Sequence, residues 1–184
     1  MTAAAQVAGA FALVMSMALL CVGRVATAVP ICTVQALLAA IVLAARGREP
    51  AAAACVAAAL NGVALPLALR HLLHRPDMPT AIAIPDGATV SWVAAMVLLV
   101  ASVAIFAQIA AGDALVVGSS VMLLGLLLMA EREHPLVPAF GLLSSQNGLL
   151  LVASAVPDLP SSALLVVATP LMPGLLVANT WLRL

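Results

Sequence analysis

A chain of 184 residues that is 65% hydrophobic and only 8% charged cannot hide its apolar surface in a water-soluble core, since ordinary globular domains are roughly 45–50% apolar and about 25% charged. Lipid is therefore the solvent for most of it, and its continuous apolar runs reach the ~20 residues a crossing helix needs, without the alternation of barrel strands. Seven basic side chains, all arginine and dispersed, balance seven acidic ones, so no cationic surface speaks for nucleic acid.

In lipid the backbone must satisfy its own hydrogen bonds, so apolar runs of this kind read as helices. The first expected span covers residues 6–23 and stops at Gly23-Arg24. Ala26-Thr27-Ala28 resembles a small-residue cleavage site. Residues 1–6 lack the positive charge of a signal peptide, however, so this run is read as a span. The second span covers 25–45 and ends at Arg46-Gly47-Arg48-Glu49-Pro50. The third covers 51–73, with Pro66 inside it. Residues 70–87 form the longest polar stretch, with Arg70, His71, His74, Arg75, Asp77 and Asp86 among prolines 76, 79 and 85. Proline lacks the backbone donor and bends the chain, so this stretch is a surface loop.

The fourth span covers 88–111 and is turned by Gly112-Asp113. The fifth, shorter, covers 114–130 and leads into Glu131-Arg132-Glu133-His134-Pro135. The sixth covers 136–156 and is closed by Pro157-Asp158-Leu159-Pro160. The seventh covers 161–182 and is interrupted by Pro170 and Pro173. The expected fold is thus an all-α integral membrane protein of about seven transmembrane helices, a single multi-pass domain over residues 1–184.

With seven spans, Arg24, Arg70, Arg75, Arg132 and Arg183 fall on one side, and Arg46 and Arg48 on the other. The positive-inside rule places the richer side in the cytoplasm. The N-terminus is then outside the cell (inner) membrane, while the C-terminus and the 70–87 loop are cytoplasmic.

All seven acids fall at span ends or in loops, and there is no lysine. Proton relays in membranes are normally marked by Asp, Glu, Lys or His at depth, and none is expected here. Neutral polar residues do occur inside the spans: Gln35, Asn61, Gln108, Ser119, Ser120, Ser144, Ser145, Gln146, Asn147, Thr169 and Asn179. Each can tie helices together or line a hydrated path. Ser144-Ser145-Gln146-Asn147 spreads polar groups around a whole turn, since neighbours on a helix are about 100° apart. That helix should be enclosed by protein on most sides. Asn61-Gly62 and Asn147-Gly148 repeat one dipeptide at mid-span. Pro170 and Pro173 free carbonyls and mark a helix break. Cys21, Cys32 and Cys55 match no redox or metal spacing. His71 and His74 stand i, i+3 and read as headgroup-level histidines. No catalytic constellation, metal site or cofactor is expected.

The order of these landmarks resembles the hydrogenase-4 component E family of membrane subunits. Cys32-Thr33-Val34-Gln35-Ala36-Leu37, Asn61-Gly62-Val63-Ala64-Leu65-Pro66-Leu67 and Arg75-Pro76-Asp77-Met78-Pro79 are similar to its second and third helices and the loop after them. Glu131-Arg132-Glu133-His134-Pro135-Leu136, Phe140-Gly141 and Gln146-Asn147-Gly148 resemble the core shared with the K subunit of complex I, so that the last three helices look like that subunit. The resemblance implies a non-redox membrane-arm subunit of a complex-I-like respiratory complex. Its expected partners are antiporter-like subunits and subunits that anchor the electron-transfer arm. Gln35, Asn61, Ser145, Gln146, Asn147 and Thr169 are the candidate path or helix-packing residues. The family commonly carries lysine at the position of Asn61, glutamate at Gln146 and an acid near Pro170, and all three titratable groups are missing here.

Two further readings stay open. A stand-alone small-molecule carrier would use broken helices around a midplane site, and the small subunit of a multisubunit cation/proton antiporter would come from the same superfamily as the first reading.

Overall fold

The computed structural model describes residues 3–45, 48–73, 88–109, 112–131, 134, 136–156, 160, 163, 166, 167, 169 and 174. Its elements are helices throughout: α1 (Ala3–Cys21), α2 (Val25–Ala44), α3 (Arg48–Ala59), a π-helical turn (Leu60–Ala64), α4 (Leu65–Leu73), α5 (Ala88–Phe106), α6 (Gly112–Glu131) and α7 (Val137–Ala155). Among the described residues, five helical segments are long and apolar enough to cross a membrane: α1, α2, the continuous run Ala52–His71, α6 and α7. Within α5, Ser91–Phe106 is a shorter apolar helix. These six runs correspond to the first six expected spans. Nearly all of the seventh, including Pro170, Pro173 and Asn179, lies outside the described residues, as does most of the 70–87 loop.

Local chemistry accounts for the breaks. Gly23 and Arg24 separate α1 from α2, and Arg24 caps α2 through its backbone alone. Its carbonyl accepts from the Thr27 hydroxyl (2.7 Å) and from the Thr27 and Ala28 amides. The third span is one run with a widened turn. Pro66 has no N–H to give the carbonyl four residues back, and its ring crowds that carbonyl, at Gly62. The chain answers with a π turn over Leu60–Ala64, in which the Leu65 amide reaches the Leu60 carbonyl. Before α7, the Leu136 amide donates to Nδ1 of His134 at 3.2 Å.

The fourth span ends five residues earlier than its hydropathy suggests. α5 stops at Phe106, and a tight turn follows: Ile109 donates to the Phe106 carbonyl and Gly112 to that of Ile109. Gln108 is therefore an exposed turn residue rather than a mid-span one. Ala107-Gln108-Ile109 is nearly as apolar as the helix before it, so the sequence does not mark this end.

Four helices form a ring in which α1 packs on α2, α2 on α7, α7 on α6 and α6 back on α1. The α3–π–α4 run flanks α2, and α5 flanks α6. The α6–α7 seam is the closest approach. A Cβ at Gly125 would lie 2.6 Å from the Gly141 carbonyl oxygen, and one at Gly118 would lie 2.6 Å from the Val152 amide nitrogen. Gly118 faces Gly148 and Gly125 faces Gly141, so the two helices run antiparallel with their glycines seven residues apart. In lipid, helices gain little from burying apolar side chains against one another, and small residues that bring backbones together supply the packing.

The core falls into clusters along the bundle. At one end Leu19, Val25, Cys32, Leu69, Leu136 and Phe140 pack together. At the other, Ala8, Ala12, Ala39, Val42, Val121 and Leu151 form an alanine-rich cluster. Beside it, Leu43, Ala53, Ala57 and Leu150 join α2, α3 and α7.

Candidate functional site

A polar layer lies between these clusters. On α1 Ser16 stands between Ala12 and Leu19, on α2 Gln35 between Cys32 and Ala39, and on α7 Ser144 between Leu143 and Leu151. Each neighbour named belongs to one of the two end clusters, so the polar side chains form a waist. Gln35 is ten residues into α2, about 15 Å along its axis at 1.5 Å per residue. That is half of a ~30 Å hydrocarbon core.

Gln35 is the hub of the layer. It is fully buried, and its Nε2 donates to Ser16 Oγ at 2.6 Å and to Ser144 Oγ at 2.9 Å. One amide thereby ties α1, α2 and α7 together. The Ser16 hydroxyl in turn donates a hydrogen bond to the Ala12 carbonyl at 3.1 Å. Oε1 of Gln35 is buried and has no hydrogen-bond partner among the described residues.

The four polar residues of α7 point in different directions, as their 100° spacing requires. Ser144 turns to Gln35. Ser145 donates across the glycine seam to the Met122 carbonyl at 3.0 Å. Gln146, half-buried, gives its Nε2 to the Val167 carbonyl at 2.9 Å, while its buried Oε1 has no partner among the described residues. Asn147 is fully buried, and neither its Nδ2 nor its Oδ1 meets a partner among the described residues. The run is enclosed as its composition requires. Over the apolar 18-residue stretch of α7, 72% of the residues are buried, against 39–50% over the matching stretches of the other four membrane-length helices.

The remaining expected residues are placed as follows. Asn61 is fully buried inside the π turn of the third span. The adjacent Gly62 lies against Ala36 and Leu37, so the turn meets α2 at the level of Gln35. Thr169 is half-buried, and its amide donates to the Val166 carbonyl at 3.2 Å. Gln35, Ser144, Ser145, Gln146, Asn147 and the π turn with Asn61 thus share one depth. Pro170 and Pro173 fall outside the described residues. Three buried serines had not stood out from their apolar surroundings, Ser16 on α1, Ser102 on α5 and Ser154 on α7. A lone serine in a run such as Met15-Ser16-Met17 carries no signal of its partner.

Among the described residues, no Asp, Glu, Lys or Arg occurs at this depth. Arg24 precedes α2, Glu49 is in the first turn of α3, Arg70 in the last turn of α4, Asp113 in the first turn of α6 and Glu131 at its end. Among the described residues, no three His, Cys, Asp or Glu side chains gather to hold a metal ion. Cys21, Cys32 and Cys55 are free thiols, the second buried and the others exposed.

The layer can hold water and bridge helices. Buried amides normally find partners, and internal waters serve where side chains do not. Asn147 and the free oxygens of Gln35 and Gln146 offer such waters both donors and acceptors. Neutral amides and hydroxyls orient water, but they do not take up a proton near neutral pH. Comparison of the chain with protein-family models, curated proteins and solved structures gives no match.

Proposed function

We propose that the chain is a non-redox subunit in the membrane arm of a hydrogenase-4-like, complex-I-like respiratory complex. It packs between antiporter-like subunits and those that anchor the electron-transfer arm. It resides in the inner membrane with the N-terminus outside and the C-terminus in the cytoplasm. Its own part is architectural, supplying a bundle with a neutral, hydrated waist. Groups that exchange protons belong to its neighbours.

The observation that carries this reading is the character of α7, a central helix with amide groups at mid-depth where none is titratable. A scaffold needs interhelical polar ties at depth, and a path-lining subunit needs water there. This layer supplies the ties, presents unpartnered amide atoms to which water can bond, and among the described residues lacks the ionisable groups of an independent pump. The landmark order of Gln35, Asn61 and Gln146-Asn147 supplies the choice of complex. Purification of the tagged chain in mild detergent tests the idea. It should run with several other multi-pass subunits as one assembly, and a stable lone monomer would refute it.

A second reading has one observation in its favour. The π turn at Asn61 is a helix irregularity at mid-depth, and such turns often mark sites, as broken helices do in carriers. Substrate flux into liposomes holding this chain alone would favour a carrier. The identity of neighbouring genes separates the first reading from a cation/proton antiporter subunit.

A further inference from the structure

The outer side of the α2–α4 contact is an open groove of about 770 Å³. That volume is in the range of cavities that hold a drug-sized molecule. One wall is Pro30 and Val34 on α2, and the other is Val63, Leu67 and Arg70 on the third span. Val34, Val63 and Leu67 are 43%, 50% and 57% exposed. No residue of the chain's described part covers them.

Two features say what fills the groove. The first is its length. It reaches from Ala26 to Val34 on α2, about 12 Å at 1.5 Å per residue. It therefore runs from one interface to the midplane and stops there, close to the half-thickness of a ~30 Å hydrocarbon core. A partner's transmembrane helix would need a seam through both leaflets, whereas an acyl chain belongs to one. The second is charge. Arg70 closes the groove at its interfacial end, and Arg24 precedes α2 at that same end. Leu69 packs with Val25 and Ala28 in a single cluster, which fixes the two ends together. Arginine binds phosphate oxygens through a planar fork of donors. Its aliphatic stem can lie along the apolar wall while the head stays at the interface.

We propose that this groove is a binding site for one anionic glycerophospholipid of the adjacent leaflet. An acyl chain lies between Pro30, Val34, Val63 and Leu67, and the phosphate sits at Arg70 and Arg24. The prolines shape the site. Pro66 forces the π turn at the deep end, and Pro30 presents a ring with no donor on the wall. The inference stands apart from the proposed function, since it concerns this chain's own surface whether or not a complex surrounds it.

Native mass spectrometry of the purified full chain, titrated with dioleoyl phosphatidylglycerol or dioleoyl phosphatidylcholine, tests it. The wild type should retain phosphatidylglycerol preferentially, as one bound molecule. Combined Arg24→Gln and Arg70→Gln should weaken that binding by at least about tenfold, since each arginine near an anionic surface contributes appreciably, and should abolish the preference. Val34→Trp should fill the groove and lower retention of both lipids, while Val97→Trp, on the exposed face of α5, should not. Equal retention of both lipids by wild type, or unchanged preference in the double variant, overturns the proposal. A photo-crosslinker at Val63 in native membranes gives an independent reading. It should capture lipid, and capture of a protein helix in its place overturns the proposal.

Discussion

Gln35 and Ser144 lie 109 positions apart in the chain and meet at 2.9 Å in the middle of the bundle. The same Gln35 nitrogen reaches Ser16 at 2.6 Å, so one side chain links three helices. Interhelical hydrogen bonds in membranes are worth about 0.6–2 kcal/mol each. Gln35→Leu should therefore lower stability by about 1–3 kcal/mol, read as a fall in melting temperature in detergent. Ser16→Ala and Ser144→Ala should each cost less, and a double-mutant cycle of Gln35 with Ser144 should show non-additivity. Additive losses would mean that the bond carries no coupling.

The α6–α7 seam predicts a sharper penalty. Gly125 and Gly148 face opposing backbone, where a methyl group has no flexible neighbour to displace. Gly125→Ala or Gly148→Ala should cost about 1–3 kcal/mol, the range for overpacking. Gly9→Ala should be tolerated, because the added Cβ would stand 3.5 Å from a Val117 methyl. Thermal unfolding of the three variants in one detergent checks the order. Equal stability for all three would show that the helices lie farther apart than described.

Asn147 tests whether the waist is wet. A dry, unsatisfied buried amide costs roughly 1–3 kcal/mol, so Asn147→Leu would relieve that cost and raise the melting temperature. If internal waters bond to Nδ2 and Oδ1, the substitution loses those bonds. With a hydrated waist, the melting temperature of Asn147→Leu should be unchanged or lower. A clear rise would mean that the layer is dry.

The three cysteines report topology without mutation. Cys21 is exposed at the end of α1, Cys32 is buried among α2, α4 and α7, and Cys55 is exposed partway along α3. Thiols react as thiolates, which lipid disfavours. A membrane-impermeant maleimide should label Cys21 alone, and only from the cytoplasmic face. Labelling of Cys21 from outside would invert the orientation, and labelling of Cys32 in the folded protein would contradict the packing.

The six apolar helical runs among the described residues could be read from sequence because arginine, glycine and proline interrupt uniform apolar stretches. The enclosure of α7 could be read too, since four polar side chains in succession leave no wholly lipid-facing side. The glycine seam was present in the sequence as heptad spacing, at 118 and 125 and again at 141 and 148, but only the antiparallel pairing gives that spacing meaning. The partners of Gln35 were not legible. Ser16 and Ser144 are far away in sequence, and hydropathy does not say which faces of α1 and α7 meet. Pro66 announced a distortion in the third span without telling a kink from a π turn. Gln108 was misplaced because helix end and turn have the same apolar character.

Gln146→Ala separates a scaffold from a proton path when proton coupling in membrane vesicles is measured alongside the amount of assembled complex. Gln146 holds the Val167 carbonyl and brings no titratable group. A scaffold role for Gln146 gives less assembled complex, with the protons moved per electron unchanged in what does assemble. Normal assembly with collapsed coupling would make Gln146 a working part of the proton path and contradict the scaffold reading.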